Sequence, residues 1–150
     1  MDDGEALKAR RAELDAGLAR EEALYFRLAH MNYYGQQVFV WGSLIASAAA
    51  ALLGLLPSNA PKEWVGLLAA ASVALVGASR QLGLQEKANW HYRKNDALIA
   101  LRRRLAFELP LSPTADNLAA ISKAWSDLDS NMSKQWEDLQ TAAKAKRANT

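Results

Sequence analysis

The chain has 150 residues, 51% of them apolar and 23% charged, with 18 Lys and Arg against 16 Asp and Glu, two His and no Cys, giving a formal charge of +2. Balanced charge excludes a strongly basic nucleic-acid-binding domain, and the lack of cysteine excludes a disulfide framework and a thiolate metal site. The averages hide an uneven distribution: residues 31–61 contain no Asp, Glu, Lys or Arg, where the mean density places roughly seven.

Residues 5–30 carry no proline, and Leu7, Leu14, Leu18, Tyr25 and Leu28 recur at three-and-four spacing, which predicts one helix with a narrow apolar seam. Arg11 and Glu21 take the two remaining seam positions, so the seam does not suit a long self-sufficient coiled coil and needs partners elsewhere. Residues 38–56 come next, enough for about 28 Å of helix, close to the hydrocarbon thickness of a bilayer. Nine of them are Val, Ile, Leu or Phe, together worth roughly −3 to −5 kcal/mol of insertion free energy before the small and polar residues subtract. An acidic opening and a late apolar run argue against a secretory signal peptide.

Residues 57–63 read as a short external loop, with Pro57 ending one helix and Pro61 preparing the next, so the flanking spans run antiparallel as neighbours. The second span, residues 64–84, has eight Val or Leu and one charge, Arg80, near its end, where a long stem reaches the headgroups. Small residues recur every four positions on both spans, at Gly42, Ala46, Ala50 and Gly54 and at Gly66, Ala70, Ala74 and Ala78, which lets helices approach closely. Lys and Arg flank the outer ends of the pair while the loop offers only Lys62, so both termini are expected on the cytoplasmic side, with Tyr33, Tyr34 and Trp90 toward the inner interface and Trp64 at the outer one.

Nothing obvious breaks the helix after the second span until Pro110, so residues 85–109 are predicted to continue it into the cytoplasm. Ser112 and Pro113 offer a helix start, and over residues 113–146 Leu118, Ile121, Trp125, Leu128, Met132 and Leu139 again share one face, with Trp136 beside it. The expectation is an all-α membrane protein: an antiparallel two-helix transmembrane hairpin with a cytoplasmic helical bundle, residues 1–150 forming one unit. Residues 1–37 carry five basic and seven acidic side chains and residues 80–150 twelve basic and eight acidic, so the two water-facing arms are expected to attract one another.

The inventory for catalysis is thin. Two histidines and no cysteine leave no Cys–His pair and no HExxH-type zinc site, and no GxSxG elbow frames a serine, so no catalytic residue, metal or cofactor is expected. His30 and His91 read as interfacial or inter-helix hydrogen-bonding groups, and Glu21, Glu22, Asp127 and Asp129 as solvated charge. Ser43 and Ser47 lie one turn apart beside the small-residue stripe, so that Ser43, Ser47, Ala50 and Gly54 become candidates to line a pore built from several copies. Arg93, Lys94, Arg102, Arg103 and Arg104 are candidates to grip phosphate; the simpler role for the arginine run is pairing with acids of the N-terminal helix or attraction to anionic headgroups.

The layout of residues 5–140, and Trp90, Tyr92, Arg93, Lys94, Leu98 and Leu101 directly after the second span, resemble the SLATT family. These are two-transmembrane effector domains associated with bacterial nucleotidyltransferases (SMODS) and SLOG sensor proteins. The resemblance implies a homo-oligomeric, pore-forming effector of a bacterial anti-phage or conflict system. It also implies residence in the bacterial inner membrane and control by a nucleotide or oligonucleotide from a partner nucleotidyltransferase. It carries no catalytic residues. The competing expectation is a non-conducting, membrane-anchored scaffold or sensor that recruits a partner through its cytoplasmic helices.

Overall fold

The computed structural model describes residues 3–55, 62–110 and 113–148, and these are helical except at Gly83, 109–110 and 113–114, with no strand among them. Helix α1 covers Asp3–Leu55, α2 Lys62–Leu82 and α3 Leu84–Arg103, which passes into a π-helical turn at Arg104–Glu108; α4 covers Ala115–Ala148. The chain divides into two compact units, Met1–Arg27 with Trp90–Thr150, and Leu28–Asn89. Most of the predicted loop, and Ser112 with the start assigned to it, lie outside the described residues.

The segments expected at 5–30 and 38–56 belong to one uninterrupted helix, α1. Between them Gly35 is the weakest helix former, costing about 1 kcal/mol relative to alanine. The helix continues through it, and Leu84 packs where a side chain would stand, 3.5 Å from an ideal Cβ. The converse holds after the second span, where the expected unbroken passage to Pro110 is a correction. Gly83 adopts φ +58° and separates α2 from α3. A left-handed residue just past a helix end is the usual place for glycine, and Arg80 in the last turn of α2 suits the negative end of its dipole.

Pro110 does stop the helix, but through a π turn. Proline forces its predecessor out of the helical region, and Leu109 is extended at φ −82°, ψ 145°, its N–H donating to the Arg104 carbonyl at 3.3 Å. Pro113 is not the first residue of α4. The cap is Thr114, whose Oγ1 accepts the Asn117 N–H at 3.3 Å while Asn117 Oδ1 accepts the Thr114 N–H at 3.1 Å, a reciprocal capping box.

In the first unit the apolar stripes of α1, α3 and α4 meet. Leu18, Leu98, Leu101, Leu105, Leu118 and Ile121 form its buried core, with Leu7, Leu14, Tyr25, Trp125 and Leu128 packed around them. Leu139, expected on the same face of α4, is instead exposed. Gly17 permits the closest approach, since an added Cβ would stand 2.7 Å from the Trp125 ring.

The second unit holds the two apolar segments. Gln36 bonds Ser79 and the Ser43–Ser47 turn bonds Ser72, so numbering rises on α1 as it falls on α2 and the helices are antiparallel. Two helical stretches are long and apolar enough to cross a membrane, and only 17% and 11% of their most apolar windows are buried. Trp41, Ile45, Leu52 and Val73 are all more than half exposed. A core helix of a soluble protein would hide such side chains.

Candidate functional sites

The polar contact of the second unit is a short relay of hydroxyls. Ser72 Oγ donates to the Ser43 carbonyl at 3.0 Å and lies 2.6 Å from Ser47 Oγ. A hydroxyl has one proton, so with Ser72 donating to the carbonyl, Ser47 is the donor to Ser72. Ser43 Oγ donates back to the Val40 carbonyl of its own helix at 2.8 Å, and Ser79 Oγ donates to Gln36 Oε1 at 2.9 Å. Such bonds are worth about 0.6 kcal/mol each between helices in a bilayer.

Of the four pore candidates, Ser43 and Ala50 are buried together with Ala46 on the face of α1 that meets α2, Ser47 bonds across it from its exposed edge, and Gly54 is open. The helices pair large against small: Leu75 Cδ1 of α2 would stand 3.3 Å from a Cβ at Gly42. The second stripe is used differently from the first. Gly66, Ala70 and Ala74 are exposed, and only Ala78 is half-buried, because α2 presents Leu75 and its two buried serines to α1. Ser72, Ser79 and Gln36 are the contact residues that sequence reasoning missed; the two-turn spacing of the serines was the available signal.

In the first unit, Lys94 is the centre. It is 6% exposed, its ammonium 2.8 Å from Asp129, 2.8 Å from the Tyr25 hydroxyl and 4.0 Å from Glu21. It also sits 4.0 Å from the Tyr25 ring centroid, a cation–π contact. Burial pulls the lysine pKa down, but the bonds to Asp129 and Tyr25 outweigh it and leave it above its ordinary value. Around it the Tyr25, Trp90 and Trp136 rings meet in series, the first pair edge-on and the second tilted, with centroids 5.9 Å and 4.9 Å apart, and Trp90 Nε1 donates to the Met132 carbonyl at 3.2 Å. Trp90 is therefore an inter-helix strut within this unit. His91 packs its ring against Tyr25 and Trp136. Asp129 and Glu21, expected as solvated charge, instead receive Lys94, and Glu21 also accepts the Trp125 indole N–H at 3.3 Å.

The basic residues are not brought together as one phosphate grip. Lys94 is internal. Arg102 donates from Nε to Asp15 at 2.8 Å and from Nη1 to Glu22 at 3.2 Å, which hold its pKa above the ordinary value. Arg104 pairs with Glu108 at 3.4 Å inside the π turn. Arg93 and Arg103 are exposed. The attraction expected between the acidic N-terminal arm and the basic C-terminal one thus takes the form of specific pairs from Arg102 and Lys94 to α1.

Arg11, which spoils the seam as a coiled coil, has a defined task. Pro110 has no N–H, and the Leu109 N–H is spent on Arg104, so the Leu105 and Ala106 carbonyls lose their helical donors. Arg11 Nη2 donates to both, at 2.9 and 3.2 Å.

Arg11 and Arg102 lie in the walls of an open groove of about 610 Å³ between α1 and the end of α3. Among the described residues no group of three or more His, Asp and Glu is placed to hold a metal ion. Comparison of the chain with protein-family models, curated proteins and solved structures gives no match.

Proposed function

We propose that the protein is a homo-oligomeric, pore-forming membrane effector of a bacterial conflict system, a two-span hairpin in the inner membrane with both termini and a helical bundle on the cytoplasmic side. The supporting observation is the apolar antiparallel pair whose outward faces stay exposed, including the Gly66, Ala70 and Ala74 stripe of α2. Lipid and further copies are the natural cover for such faces. One pair of helices cannot enclose a lumen, so conduction requires several. The nucleotide-type signal and the partner nucleotidyltransferase come from the family resemblance, and Arg93, exposed, outside the groove and with no ion pair among the described residues, is the member of the basic set best placed to meet a phosphate.

The deciding experiment is ion flux from liposomes carrying the purified protein, with and without cellular nucleotide extracts. Flux that rises with the extract supports the proposal, and none under either condition ends it. A second reading, a non-conducting membrane scaffold, is favoured by the Ser43–Ser47–Ser72 relay, which turns the most polar strip of the spans inward and satisfies it there. Ile121 and Leu128 lie in the core and its surround, so polar substitutions there unfold the unit instead of reporting on a docking face.

A further inference from the structure

The groove between α1 and the end of α3 combines three features that the membrane reading leaves unexplained. Its lining reaches from Lys8 to Glu22 on α1, a rise of about 21 Å. A volume of about 610 Å³ spread over that length makes a shallow trough. Small ligands favour enclosed cavities that surround most of their surface, whereas a trough between two helices covers one face of a third.

The second feature is charge. Four cations and two carboxylates line the groove, but Asp15 and Glu22 are both spent on Arg102, and Arg11 is spent on the carbonyls of the π turn. Lys8 and Arg103 remain, both exposed and, among the described residues, with no ion pair or hydrogen bond. The uncompensated charge of the groove is positive. The third feature is Phe107, 85% exposed on the same wall. The π turn carries it, and Pro110 and Arg11 fix the backbone of that turn, so the residue is presented on the wall by the local fold. An exposed aromatic beside free cations is the composition of an interface anchor.

We propose that this groove docks an amphipathic helix from a partner protein, laying its apolar stripe against Phe107 and its flanking carboxylates against Lys8 and Arg103. The inference rests on the first unit alone and stands whether or not the spans conduct, so a failed flux experiment leaves it intact and its own failure leaves conduction intact.

The test uses the full chain in phosphatidylcholine nanodiscs and two labelled helical peptides of matched length, one of Leu and Glu and one of Leu and Lys, followed by fluorescence anisotropy. The acidic peptide should bind and the basic one should not. The double variant K8E/R103E should weaken the acidic peptide by about tenfold or more and admit the basic one, and F107S should weaken the acidic peptide by about tenfold. All three side chains are exposed, so thermal unfolding should match the parent protein. The proposal is overturned if neither peptide binds, if both bind equally, or if either variant leaves acidic-peptide binding unchanged. It is equally overturned if ATP or inorganic phosphate occupies the groove and displaces the peptide, which would make it a small-anion site.

Discussion

Replacing Lys94 separates two ways of losing the same ion pair. Cutting one partner from a fully buried pair costs about 3–5 kcal/mol, because the survivor keeps an uncompensated charge away from water. Here the partners differ: the Lys94 side chain is 8% exposed, but Asp129 is 42% and Glu21 31% exposed. In K94M the methionine fills the space of the lysine stem and the two carboxylates turn to solvent, so the expected loss is about 2 kcal/mol. In D129N the ammonium stays buried with Tyr25 and a distant Glu21, and the loss should be larger, about 3 kcal/mol. Urea unfolding in detergent, followed through the Trp90, Trp125 and Trp136 fluorescence, measures both. The pH response follows from the raised lysine pKa: its contribution is complete below the ordinary value of 10.5 and disappears as pH climbs through the higher folded value. Parent stability should therefore fall more steeply than that of K94M above about pH 10.5. A D129N variant as stable as K94M, or a parent and K94M with parallel alkaline profiles, would refute the account.

Gly17→Ala gains about 1 kcal/mol of helix propensity, yet its Cβ would stand 2.7 Å from a Trp125 ring tethered by its indole N–H to Glu21, so net destabilisation of about 1–2 kcal/mol is expected in the same unfolding assay. Arg11→Ala leaves the Leu105 and Ala106 carbonyls without donors; a loss of about 1–3 kcal/mol is expected, with faster amide exchange confined at first to residues 104–109. Gly83→Ala meets little crowding, Glu86 Oε2 at 3.5 Å, so its cost is the left-handed backbone alone, about 1–2 kcal/mol by thermal unfolding.

The helices and much of their inward faces were legible because periodicity is a local signal: Leu18, Leu118 and Ile121 fall where three-and-four spacing puts them. Of the residues that carry the family resemblance, Lys94, Leu98 and Leu101 are buried, so that half of that short stretch serves packing. What stayed hidden depends on pairs far apart in the chain. Asp129 looks like solvent charge until Lys94 lies 2.8 Å away, and Arg11 looks like a seam defect until Pro110 orphans two carbonyls ninety-odd residues downstream. The break at Gly83 is hidden because glycine in an apolar run is ambiguous. Gly35 and Gly42 stay helical on close packing, whereas Gly83 ends a helix, and only the neighbouring chain decides.

The serine relay sharpens the question of conduction into one about faces. With Ser43, Ala46 and Ala50 buried against α2, a lumen lined by them requires the helices of each pair to part, breaking the bonds Ser47–Ser72, Ser72–Ser43 and Ser79–Gln36. At about 0.6 kcal/mol each in a bilayer they oppose parting by about 2 kcal/mol, too little to forbid it and enough to bias a closed state. A lumen lined by Gly66, Ala70 and Ala74 needs no parting, because that face is already outward. The two geometries predict opposite outcomes in liposome flux. If the serine face conducts, S72A loosens the pair and raises basal flux several-fold, while A70L and A74L change little. If the α2 face conducts, A70L and A74L block flux, and S72A lowers stability by about 1 kcal/mol without opening anything. The exposed stripe needs no energy to reach the lumen, so the second pattern is expected, and increased flux from S72A would reverse the assignment.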